Sequence, residues 1–141
     1  MRITRLLFAL VAVGAYLTAD AQRADVKIIV NPNVNAAEIS RDDLNRIFLL
    51  SKTSLPGASH LEPVLEKAGR AHDLFLKLYM DKSDAALTTY YLSLLFSGKS
   101  AIPKSFDSDS AVAEYVAKTK GAIGYVGSTT NTPGVKTLKV K

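Results

Sequence analysis

The chain has 141 residues, no cysteine and a formal net charge of +5. That length suits one small domain, and the lack of thiols excludes disulfides, thiolate metal sites, a cysteine nucleophile and a lipoprotein anchor. The positive balance favours an anionic ligand or partner surface, but the basic residues are scattered and not interleaved with aromatics, which argues against nucleic acid.

Arg2 and Arg5 precede an almost continuous apolar run over residues 6–17, and Ala19-Asp20-Ala21 then offers the small-x-small site of a secretory signal. The run is short for a membrane span. Residues 1–21 are therefore expected to be a cleaved signal peptide, with an uncleaved N-terminal anchor as the alternative. Residues 22–141 are expected to form one exported domain with no stable membrane span after cleavage. The expected address is the periplasm of a Gram-negative bacterium, with outright secretion as the alternative.

Residues 26–30 are a β-branched apolar run ended by Asn31-Pro32-Asn33, a strand followed by a turn. Ser40 is placed to cap a helix, with Asp42 and Asp43 in its first turn and Leu44, Ile47 and Phe48 on one face. Residues 51–59 read as a loop. Residues 61–65 read as a strand, with Pro63 arguing for an edge position or an irregular segment. Ala71, Leu74, Phe75 and Leu78 then share a helical face, and Leu87, Tyr90, Tyr91, Leu94 and Leu95 form the stripe of a second core-facing helix. Ser97-Gly98-Lys99 ends it, and an extended loop begins at Ile102-Pro103.

Ser108 caps a last helix through Val112, Tyr115 and Val116. Gly121 suits the left-handed turn that closes it. Residues 122–126 form a strand in which Gly124 implies close approach by another backbone or a ligand. A loop rich in serine and threonine leads to a closing strand over residues 135–140, where Lys136, Lys139 and Lys141 read as a solvated face and tail. Strands alternating with helices, without an internal repeat, predict an α/β layer structure: a mixed sheet flanked by helices.

Lys67, Gly69, Arg70, Ala71 and His72 fall just before and at the start of a predicted helix. One reading is an anion seat built from helix amides and a planar arginine fork. The other is an exposed loop with ordinary surface charges. Capping accounts for Ser40 and Ser108, and ligand contact is their second reading. Ser128 and Thr129 follow the strand over residues 122–126, on the side of a sheet where ligands gather; a plain connector is the alternative. Asp107 and Asp109 read as residues flanking a cap.

His60 and His72 show no metal-ligand spacing. No nucleophile elbow, phosphate-cradling glycine loop or carboxylate pair stands out, so the expectation is a non-enzymatic protein without catalytic residues, metal or cofactor.

Several segments occur together in a telling order: Val26-Lys27-Ile28-Ile29-Val30-Asn31-Pro32, Ile39-Ser40 through Phe48, and Leu61-Glu62-Pro63-Val64. Phe75 in its helix, Phe96-Ser97-Gly98 with Pro103, and the turn from Gly121 to Val126 complete the set. This arrangement resembles the phosphate-transporter substrate-binding family of periplasmic binding proteins. The resemblance implies a periplasmic-binding-protein-like (type 2) α/β lobe that binds phosphate or another small oxyanion, with an ABC permease or another envelope protein as partner. Full receptors of that family have two lobes joined by a hinge. This chain is less than half their length and supplies at most one lobe, or a pared-down version of two. Where such receptors carry an arginine–aspartate–serine–glycine–threonine phosphate loop, it has Glu66-Lys67-Ala68-Gly69-Arg70-Ala71-His72, without the serine and threonine hydroxyls. The departure supports a second expectation, an envelope interaction module that kept the fold and lost the ligand site.

Overall fold

The computed structural model describes residues 26–141. The signal-peptide reading of residues 1–21, and the anchor reading beside it, lie outside the described residues. In chain order the elements are β1 (Val26–Val30), β2 (Glu38–Ile39), α1 (Arg41–Phe48), β3 (Glu62–Pro63), β4 (Leu65–Glu66), α2 (Arg70–Phe75), α3 (Asp84–Phe96), β5 (Ser105–Phe106), α4 (Asp109–Lys118), β6 (Ala122–Gly127) and β7 (Lys136–Val140). Among the described residues no helix is long and apolar enough to cross a membrane.

β1 is apolar on both faces, and it lies at the centre of a five-stranded sheet ordered β2-β7-β1-β6-β3. It runs antiparallel to β6 and β7, while β2 and β3 lie parallel to their neighbours at the two edges. Pro63 therefore occupies an edge, where its missing N–H breaks no ladder. Ile28, Val30, Ile123 and Tyr125 face one side and join the buried residues of α1, α2 and α3. Ile29, Ala122 and Val126 face the other and pack against Val112, Ala113 and Val116 of α4. A mixed sheet with helices on both faces is the result.

The caps at Ser40 and Ser108 act as the sequence implies, and Ser83 adds a third at the start of α3. Ser40, Ser83 and Ser108 each accept a hydrogen bond from a backbone N–H three residues on, relieving an unpaired donor at a helix start. At the far end of α1, Tyr91 and Tyr90 donate their hydroxyls to the carbonyls of Phe48 and Leu49. Gly121 has φ +79, and a Cβ there would meet the His60 carbonyl oxygen. The turn and the close approach both require glycine.

Four expectations change. The strand expected over residues 61–65 divides between β3, on the main sheet, and β4, which leaves it to pair in parallel with β5. The extended loop after Ile102-Pro103 supplies β5. The helix begun at α2 widens into a π-helical turn, Leu76–Met80, that ends on a left-handed Asp81. The extra residue per turn rotates the buried face, so Ala71, His72, Phe75, Leu76 and Met80 are buried while Leu74 and Leu78 are only half-buried. The apolar stripe of α3 is covered at Leu87 and Tyr91 but uncovered at its end, where Leu95 is 41% exposed.

The protein atoms that closely approach Gly124 belong to side chains, not to backbone. An added Cβ would lie 2.8 Å from Val112 Cγ1, 3.1 Å from Val64 Cγ2 and 3.3 Å from Val116 Cγ2. These are stiff β-branched side chains in a packed layer. Gly124→Ala is expected to destabilise the protein by about 1–3 kcal/mol. Chemical denaturation measures this, and an unchanged midpoint would mean that α4 is not seated on β6 in this way.

Candidate anion-binding cleft

The carboxyl ends of three strands converge. β4 ends at Glu66 and leads through Ala68 and Gly69 into α2; β5 leads through Asp107 and Ser108 into α4; and β6 ends at Gly127. Between them lies a cleft of about 510 Å³ lined by Glu66, residues 68–71, residues 107–109 and residues 127–130. Two helix starts thus face one cavity, each presenting backbone N–H groups and a partial positive charge.

The loop after β6 is held in place by a carboxylate. Asp109 Oδ2 accepts from Gly127 N at 2.7 Å and from the Thr130 hydroxyl. Lys27 Nζ donates to the Thr130 carbonyl at 2.8 Å, and Thr130 N closes a turn onto Gly127 O. Ser128 and Thr129, between these anchors, are left exposed at the cleft rim.

Glu66 forms the buried side of the cleft and is 3% exposed. Its backbone N–H donates to the Tyr125 hydroxyl at 3.0 Å, and its carboxyl hydrogen-bonds that of Asp109. Its Oε1 has no hydrogen-bond partner among the described residues. Burial, then the hydrogen bond and charge of Asp109, push the Glu66 carboxyl up to about 8. Burial also raises Asp109, but hydrogen bonds from Glu66, Thr130 and Gly127 outweigh it and hold Asp109 below the usual carboxylate range. At neutral pH the pair shares one proton, with Asp109 ionised and Glu66 neutral.

The structure brings Gly69, Arg70, Ala71, Ser128 and Thr129 to this cleft. It places the other three candidate residues elsewhere. Lys67 is not among the residues lining the cleft; it pairs at 3.2 Å with Asp107, which is, and both side chains are exposed. His72 is 3% exposed, neither at the surface nor in the cleft. Its Nδ1 lies 2.6 Å from the Tyr125 hydroxyl and its Nε2 2.7 Å from Asp84 Oδ1. Because Tyr125 already accepts from Glu66 N, the arrangement that satisfies each group has Tyr125 donating to Nδ1 and Nε2–H donating to Asp84. Ser40 caps α1 and lines a separate cleft with Ile39, Leu55 and Lys141.

Glu66 and Asp109 were not legible as site residues, since no carboxylate pair stands out in the sequence. They are 43 positions apart in the numbering, and only the β4–β5 pairing brings their strand ends together. The one local signal was a charged residue directly after the strand expected over residues 61–65.

No family model and no curated protein sequence matches the chain. Solved structures do. A phosphate ABC transporter substrate-binding protein from Clostridium perfringens, with bound phosphate, superposes with a TM-score of 0.65 at 16% identity over 82% of this chain and 44% of its own. PstS from Borrelia burgdorferi gives 0.60 at 14% identity over 83% and 47%, and an ABC-type phosphate transport receptor from Vibrio cholerae 0.54 at 15% over 82% and 46%. The fold is periplasmic-binding-protein-like. The chain spans a little under half the length of these receptors.

The acid pair has a consequence for stability. A folded-state value for Glu66 raised from 4.5 to about 8 means that its contribution is full below pH 4.5 and is lost as pH rises toward 8. The slope from this group reaches about 1.4 kcal/mol per pH unit inside that window. Glu66→Gln removes the titration and keeps a donor toward Asp109. The variant is expected to flatten the decline in thermal midpoint between pH 5 and 8 and to exceed the parent at pH 8; parallel profiles would contradict the assignment.

Proposed function

We propose that the chain is a periplasmic binding-protein-like module that takes phosphate or another small oxyanion into the cleft between α2, α4 and the loop after β6. One observation carries this reading: two helix starts and a hydroxyl-bearing loop face the same cavity at the ends of three strands. The fold shared with phosphate receptors supports it. Backbone N–H groups at Gly69, Arg70 and Ala71 supply donors, the Arg70 guanidinium a charged fork, and Ser128 and Thr129 hydroxyl contacts. The hydroxyls absent from residues 66–72 are thus offered by another loop. An ABC permease is the partner suggested by the neighbours' transport role. The leader-like residues 1–21 support the periplasm as the address.

A second reading, an envelope interaction module without a ligand, is favoured by the uncovered apolar end of α3. Phe96 is 82% exposed there, and Ile102, in the segment that follows α3, is 43% exposed.

Calorimetric titration with inorganic phosphate separates the two. The binding reading expects saturable heat, and a loss of about tenfold or more in affinity for Arg70→Ala, the order of one charge-assisted hydrogen bond. No heat and no thermal stabilisation at millimolar phosphate or sulfate, together with stable self-association in sedimentation, would move the function to the α3 surface.

A further inference from the structure

An anion-receiving cleft with three carboxyl groups in its wall is an electrostatic conflict; Asp107 is exposed and paired with Lys67, and the geometry of Glu66 and Asp109 shows how the buried part is relieved. Asp109 is committed to the protein: it holds Gly127 N and the Thr130 hydroxyl, so its charge is part of the architecture. Glu66 is not so committed. It is 3% exposed, lines the cleft, and leaves Oε1 without a partner among the described residues. An ionised carboxyl with an unpartnered, buried oxygen beside a second carboxylate is costly, whereas the neutral acid can donate to Asp109.

We propose that this pair makes oxyanion capture proton-coupled: the cleft takes its anion while Glu66 and Asp109 share one proton, and releases it when that proton is lost to solvent. The inference rests on the oxyanion reading above and names its regulation. Anion entry and Glu66 ionisation place like charges in one small cavity, so each disfavours the other. By linkage, a bound anion holds the proton more tightly, and raising the pH weakens binding. The rise of the Glu66 carboxyl to about 8 puts the effect within reach of mildly alkaline conditions.

Other charged and titratable groups surround Glu66. Asp109 and Asp107 stand at the start of α4, Arg70 and His72 on α2, Tyr125 on β6, Asp84 on α3, and Lys67 next in the chain. His72 contacts Tyr125 and Asp84 rather than Glu66.

The test uses sulfate, whose charge is constant between pH 6.5 and 9, with phosphate in parallel. Calorimetry at both pH values is expected to show sulfate affinity about tenfold lower at pH 9. At pH 8.5, titrations in buffers of different ionisation enthalpy are expected to show proton uptake on binding. In Glu66→Gln the ratio between the two pH values is expected to fall below about twofold and the proton uptake to vanish. Binding that is equal at both pH values in the parent protein overturns the coupling and leaves the oxyanion reading intact. A ratio that survives in Glu66→Gln assigns the proton to another group and also overturns it. Absence of binding by either anion at every pH removes the oxyanion reading and the coupling with it.

Discussion

The Tyr125 hydroxyl decides where the cleft lies. It accepts from the Glu66 backbone and meets His72, so one buried oxygen joins β6, β4 and α2. The ring below is fixed as firmly: it stacks on Phe75 with centroids 3.9 Å apart and planes within 6°. Phe48 closes a further side at 6.0 Å. A polar group this deep must be paired, and here each partner is on a different element. Asp84, beyond His72, extends the chain of hydrogen bonds to the first turn of α3. The position of β4's end, and with it the Glu66 carboxyl, follows from the core.

From that anchor the cleft is assembled by pairing. β4 leaves the main sheet and lies parallel to β5, so the strand ends that feed α2 and α4 emerge side by side. Parallel neighbours place both helix starts on the same side. The loop after β6 completes the rim because Asp109, the first residue of α4, reaches across to hold it. The residue that helps the helix start electrostatically also shapes the opposite wall. Its negative charge is held by hydrogen bonds from Glu66, Thr130 and Gly127. Lys67, next to Glu66 in the chain, pairs with Asp107 instead.

Much of this fold could be read from the chain. β1, the Ser40 and Ser108 caps, and the Gly121 turn into β6 are local features, fixed by β-branched runs, side-chain capping and positive φ. The division of residues 61–66 between two sheets was not legible, because each piece is two residues long and its pairing partner lies far along the chain. The π-helical turn has no periodic signature, and it turned a predicted Leu74/Leu78 face into one built on His72, Leu76 and Met80. Of the candidate site, the helix start at Gly69 and the hydroxyl loop at Ser128 and Thr129 were visible as separate fragments. The carboxylate pair that joins them was hidden, since Asp109 alone reads as an ordinary first-turn acid and Glu66 as the end of an edge strand.

The most direct test of this account is a two-dimensional amide NMR titration with inorganic phosphate. The account predicts saturable shifts concentrated at Gly69, Arg70, Ala71, Gly127, Ser128 and Thr129, which line one cleft from two segments of the chain. Shifts confined to the basic C-terminal residues Lys136, Lys139 and Lys141, with these amides unmoved, would contradict it.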